Sequence, residues 1–197
     1  MIKKLFIFSL FYLIVLSQPL LAHSPISGIG NFYNGFLHPF FIPSQLMLVF
    51  ANGLFLGQYG IKNIQTPFLV FILSITLALI FTSFVDDIKI EKPILILSML
   101  IGFLIALNYN KSISLHILLS VLSGFLLGLD STQEELFAKD KFLALSGSLV
   151  SIIVLSLYTI ALSDYFNKKE WQKIVIRIFG SWISAASVMV LALSLNS

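Results

Sequence analysis

The sequence predicts an all-α membrane protein, a cleavable signal peptide followed by six transmembrane helices. Three observations carry that expectation. The chain is 58% hydrophobic and 11% charged, with a mean hydropathy of +0.99, whereas soluble domains are roughly 45–50% apolar and 25% charged. Its apolar residues gather into runs long enough to cross a bilayer. Every charged residue falls outside those runs, apart from Arg177 near the start of the last one. A water-soluble core of this size could not hide so much Phe, Leu and Ile, so lipid must be the solvent.

Residues 1–22 read as the signal and residues 23–197 as a single membrane domain. Lys3 and Lys4 form the positive region, Leu5 to Leu16 the apolar region, and Ala22 the last residue before cleavage. Leu20 is larger than the small residue preferred there, so an uncleaved anchor helix is the alternative. Cleavage would place His23 at the mature N-terminus. The six spans then run approximately 40–57, 67–85, 93–109, 113–129, 142–163 and 174–195, each near the ~20 residues needed to cross the hydrocarbon. Pro67 and Pro93 sit where helix starts tolerate proline. Asn108 to Ser112 is turn material between the third and fourth spans. Unpaired backbone amides are too costly in lipid for these runs to be anything but helices.

Charge sorting sets the orientation. With the mature N-terminus outside, the cytoplasmic side receives Lys62, Lys111, Asp164, Lys168, Lys169, Glu170, Lys173 and Arg177. The outer side receives Asp86, Asp87, Lys89, Glu91 and Lys92, then Asp130, Glu134, Glu135, Lys139, Asp140 and Lys141. Six basic residues inside against four outside has the expected sign. Both mature termini are therefore expected outside the membrane, with an acidic outer face suited to a cation. The net charge of +3 is small and sorted by side, so no nucleic-acid partner is expected. The absence of cysteine excludes disulfides, thiolate metal sites and thiol nucleophiles.

Small residues at four-residue spacing, Gly53 with Gly57 and Gly124 with Gly128, mark faces for close helix packing. They suggest that the first and fourth spans pack on one another. Ser146, Gly147, Ser148 and Ser151 in the fifth span and Gly180, Ser181, Ser184 and Ser187 in the sixth continue the pattern.

Chemistry gathers on the outer side. His38 precedes Pro39 at the entrance of the first span, and Asp130, Glu134 and Glu135 follow the fourth. Histidine with carboxylates is a workable donor set for a divalent transition metal. The bland alternative is an interfacial histidine and solvated loop acids. His116, at the cytoplasmic end of the fourth span, reads as a snorkelling or hydroxyl-paired residue, and Arg177 as a cytoplasmic anchor. Ser123-Gly124 could suggest a membrane serine hydrolase, but the last span offers no histidine base. No nucleotide-binding loop is present, so transport would draw on a gradient or a partner ATPase.

Ala22-His23, the run Gly35-Phe36-Leu37-His38-Pro39-Phe40, Leu46 and Gly53-Leu54 resemble the start of the HupE/UreJ family. That family's first helix typically reads His-Pro-x-x-Gly-x-Asp-His; here His38-Pro39 is followed by Ile42, Ser44 and Gln45 at the last three positions. Its second motif, His-Gly-x-x-His-Gly-x-Glu, is similar to Ser123-Gly124-Phe125-Leu126-Leu127-Gly128-Leu129-Asp130, with both glycines and an acid but neither histidine. The closing span, with Arg177 and Gly180, is also similar. The resemblance implies a six-span protein of the bacterial inner membrane with a cleaved signal, associated with hydrogenase and urease clusters, that moves nickel or cobalt.

Three functions follow as expectations. The first is a secondary permease for nickel or cobalt as substrate ion, entering from the outer face through helices 1 and 4, with His23, His38, Asp130 and Glu134 as metal-handling residues. The second is a metal-free channel or carrier for a small neutral solute, its path lined by Ser44, Gln45, Asn52 and Ser123. The third is a non-transporting accessory protein. No permanently bound cofactor and no enzymatic activity are expected. The bilayer is the expected partner, and a homo-oligomer or an accessory protein stays open.

Overall fold

The computed structural model describes residues 28–82, 90–109, 112–131, 136 and 138–194. The signal segment, His23 and Glu134 lie outside the described residues. Among the described residues seven helices follow in order: α1 (Asn31–Phe41), α2 (Pro43–Tyr59), α3 (Gln65–Phe81), α4 (Glu91–Ala106), α5 (Ile113–Leu129), α6 (Ala138–Tyr165) and α7 (Glu170–Ser194). No strand occurs among the described residues.

The surface is apolar and the interior partly polar. Leu69, Leu73 and Leu77 of α3, Leu118 and Phe125 of α5, and Phe179, Trp182 and Met189 of α7 are exposed, while Gln45, Asn52, His116, Ser120 and Ser123 are buried. Water would favour the reverse. An apolar shell around buried polar side chains is the arrangement a lipid solvent selects, and the chain is a membrane protein.

Among the described residues α6 and α7 are the helices able, by length and composition, to cross a membrane, and the α1–α2 pair adds a third if it counts as one broken span. That is fewer than the six expected. Helices α3 and α5 have 17 residues each, a rise of about 25 Å against a hydrocarbon core of about 30 Å.

The predicted span 40–57 is interrupted. Its first residues belong to α1, which turns by 77° into α2. Two prolines account for the break. Pro43 occupies the first position of α2, where its missing N–H costs nothing, and it forces Ile42 into extended backbone at φ −104°, ψ 102°. Pro39, inside α1, has no N–H for the carbonyl of Gly35 four residues earlier. The Ser148 hydroxyl of α6 donates to that carbonyl instead, at 3.0 Å.

Helix α2 is the axis of the bundle: residues 51–58 are buried without interruption, and α4, α5, α6 and α7 all touch it. Helix α6 lies along α1 and α2, α3 pairs with α5, and α4 with α7. The glycines show how. A Cβ on Gly53 or Gly57 would strike Thr159 or Ser163 of α6, and one on Gly124 or Gly128 would strike Ser74 or Ala78 of α3. The two glycine pairs therefore do not join the first and fourth spans, as the sequence suggested. Each serves a different neighbour, because spacing identifies a close-packing face but not what covers it.

These contacts also fix direction. Gly53 lies beside Thr159 and Gly57 beside Ser163, so α2 and α6 run parallel; α3 and α5 do likewise. Helices α4 and α7 run antiparallel, with Gly102 beside Ser184 and Arg177 Nε donating to the Ala106 carbonyl at 2.8 Å. Gln58 Nε2 to the Ile105 carbonyl (3.3 Å), Asn167 Nδ2 to the Gln58 carbonyl (2.9 Å) and Ile61 N–H to Asp164 Oδ1 (3.1 Å) gather at that same end.

Candidate functional site

Helices α2 and α5 face each other with polar stripes. Along α2, Gln45, Asn52 and Tyr59 recur every seven residues and fall within about 40° of one another around the helix. Along α5, His116, Ser120, Ser123 and Asp130 fall within about 80°. Two contacts set their register. At one end Gln45 Nε2 donates to both the Asp130 carbonyl (2.8 Å) and Asp130 Oδ2 (2.7 Å). At the other, the His116 imidazole lies between Phe55 and Tyr59, each ring centroid 4.2 Å away, at interplanar angles of 8° and 26°.

The Gln45–Asp130 pair is the bond between the two motif ends. A primary amide donating to a carboxylate oxygen and to that residue's own carbonyl holds the end of α5 against the start of α2. Hydrogen bonds to charged acceptors are stronger than neutral ones. The side chains of Ser44 and Gln45 are almost wholly buried, and Asp130 is partly so.

His116 is not at an interface. It is 0% exposed, and its Nδ1 sits 2.7 Å from the Ser112 carbonyl; Nε2 has no hydrogen-bond partner. The expected snorkelling or hydroxyl pairing is thus replaced by a backbone bond and two aromatic faces. A four-residue step from His116 to Ser120 and three more to Ser123 was the available signal, since it puts all three on one face.

Between the two closures lie polar atoms without partners. Both side-chain atoms of Asn52 lack a hydrogen bond, as do Ser120 Oγ and Ser123 Oγ, and all three residues are 0% exposed. Ser151 and Ser156 of α6 carry further unpartnered hydroxyls. Other hydroxyls, such as Thr76, Ser98 and Ser131, bond back to the carbonyl four residues earlier. Ser120, Ser123 and Asn52 do not take that solution; a serine needs only to rotate its hydroxyl to reach it, whereas the Asn52 amide leaves both a donor and an acceptor unpaired. Ser120 is therefore an addition to the path the sequence outlined with Ser44, Gln45, Asn52 and Ser123, and Asn52 is its strongest member.

Of the expected metal-handling residues, His38 is buried in the last turn of α1 and Asp130 ends α5; His23 and Glu134 lie outside the described residues. Among the described residues no three of His, Asp and Glu come together as a metal-binding group. Arg177, expected as an anchor, serves an α4 carbonyl left open by the helix end.

A family model described as HupE / UreJ protein matches residues 11–190. Neither a curated protein nor a solved structure matches the chain significantly.

Proposed function

The chain belongs to the HupE/UreJ family, and from that membership we propose a secondary permease that admits nickel or cobalt from the outer face between α2 and α5. The family is associated with nickel and cobalt transport for hydrogenase and urease. The observation that carries the reading is the Gln45–Asp130 bond, because it joins the last positions of the two stretches that resemble the family's motifs. In this reading the α1–α2 pair and α3 to α7 make six crossings, both mature ends lie outside the inner membrane, and the outer acids concentrate the cation. His38 and Asp130, with His23 and Glu134, receive the ion; Ser44, Gln45, Asn52 and Ser123 pass it on.

One observation favours a second reading, a carrier for a small neutral solute. The unpartnered atoms between α2 and α5 belong to amides, hydroxyls and one imidazole, and neutral oxygens hold nickel far less tightly than imidazoles do.

Uptake of labelled nickel and cobalt by cells expressing the chain decides between them. The wild type is expected to accumulate ion, His38→Ala and Asp130→Asn to lose uptake while still inserting, and Ser44→Asp with Gln45→His to bind metal more tightly. A wild type inert toward both ions at every pH, with uptake created by the double substitution, would hand the protein to the solute reading.

A further inference from the structure

Equal steps along two antiparallel helices place two unpartnered side chains at one depth, with a third one turn beyond. From the Gln45–Asp130 bond, Asn52 lies seven residues down α2 and Ser123 seven residues down α5, about 10 Å in each case. Ser120 is one turn further, and the Phe55–His116–Tyr59 stack closes the interface with His116 about 6 Å beyond Ser120 and about 10 Å beyond the depth of Asn52 and Ser123. The tract is thus shut at both ends by named contacts and lined in the middle by Asn52, Ser120 and Ser123, none with a hydrogen-bond partner and none exposed. Buried polar groups require partners, from protein or from something bound. The Asn52 amide alone brings two donors and an oxygen acceptor.

We propose that Asn52, Ser120 and Ser123 form an occluded, hydrated binding site midway along the α2–α5 seam, holding the transported cation through its shell of water, with His116 as its inner gate. The inference rests on the permease reading. Neutral hydroxyls and an amide complement the O–H groups of a hydrated ion, which keeps its own first shell and so needs no anionic ligand from the protein. Channel filters also hold cations with neutral oxygen dipoles, though there the oxygens replace the ion's water, whereas here the water stays between ion and protein. The His116 ring, filling the gap between Phe55 and Tyr59, must swing out for the site to open inward.

The chain has no cysteine, so single thiols report cleanly. Ser120→Cys and Ser123→Cys are near-isosteric and keep the fold; Asn52→Cys adds a third position. Reaction with a small water-soluble methanethiosulfonate reagent needs water at the thiol. Both serine-derived thiols are expected to react at least tenfold faster than Leu122→Cys, whose side chain faces outward, and nickel or cobalt is expected to slow them. His116→Ala is expected to raise reaction from the cytoplasmic face several-fold in inside-out vesicles. Rates no faster than at Leu122→Cys would overturn the site, and labelling indifferent to either metal would overturn a cation as its occupant. Loss of ion uptake in the wild type with rapid labelling intact would sink the permease reading instead, so the two failures are separable.

Discussion

Gly35 offers a carbonyl that its own helix cannot use, because the residue four positions on is Pro39, and Ser148 serves it from α6. A single hydroxyl thereby replaces a helical N–H and ties the entry helix to the bundle. Ser148→Ala should cost about 1 kcal/mol or more, since it strands a buried acceptor. In a Pro39→Ala background the restored N–H can take over, so the same substitution should cost less there. Thermal unfolding of the four variants in detergent gives the coupling; a cost of Ser148→Ala that is independent of residue 39 would dismiss the explanation. His38-Pro39 was conspicuous in the sequence, but its structural consequence was not. The donor sits 113 residues from the acceptor, and no local pattern links them. His116 was misjudged for a related reason: position near a helix end suggests snorkelling, whereas the packing of Phe55 and Tyr59 decides burial.

Helix positions were legible because apolar runs and prolines are local properties. Helix α5 occupies the predicted 113–129, and α3, α4, α6 and α7 start two to four residues before the expected spans. The break at Ile42 was not anticipated, although Pro39 and Pro43 together contained it. Partnering was the larger gap. A glycine face says that something approaches closely, and only the fold says that α6 covers Gly53 and Gly57 while α3 covers Gly124 and Gly128. The α1–α6 contact is the tightest of these, with Gly35 against the Ala144 carbonyl and Gly147 against the Phe32 carbonyl. Both obstacles are backbone and cannot rotate away. Gly35→Ala and Gly147→Ala should each destabilise the protein by roughly 1–3 kcal/mol, read as a lower midpoint in the same detergent melts. A change at Gly28, which meets nothing within 4 Å, should leave packing alone and act only through its positive φ of 96°. Equal losses at all three sites would mean that backbone conformation, not space, sets the requirement.

Across the whole molecule the helix directions bear on the membrane itself. The end that gathers Gln58, Ile105, Asp164, Asn167 and Arg177 through hydrogen bonds also carries Lys62, Lys168, Lys169 and Lys173. The opposite end carries the Gln45–Asp130 bond and the acids Glu91 and Asp140 among its charges. Basic residues flanking spans stay cytoplasmic, so the first end should face the cytoplasm and the Asp130 end the outside. Alternation of direction from α2 through α7 then requires α3, α4 and α5 to cross despite their shortness, helped by local thinning of the bilayer, which costs fractions of a kcal/mol per Å. Reporter fusions separate this from a two- or three-span arrangement. Fusions after Lys111 and Asn167 should read cytoplasmic, and fusions after Lys89 and Lys139 extracytoplasmic. If α3 to α5 did not cross, the Lys89 and Lys111 fusions would report the same side, and a continuous seam from Asp130 to His116 could not connect the two faces of the membrane. A fully reversed pattern would keep the seam but turn the Gln45–Asp130 end toward the cytoplasm, making it an exit and leaving His116 to guard the entrance.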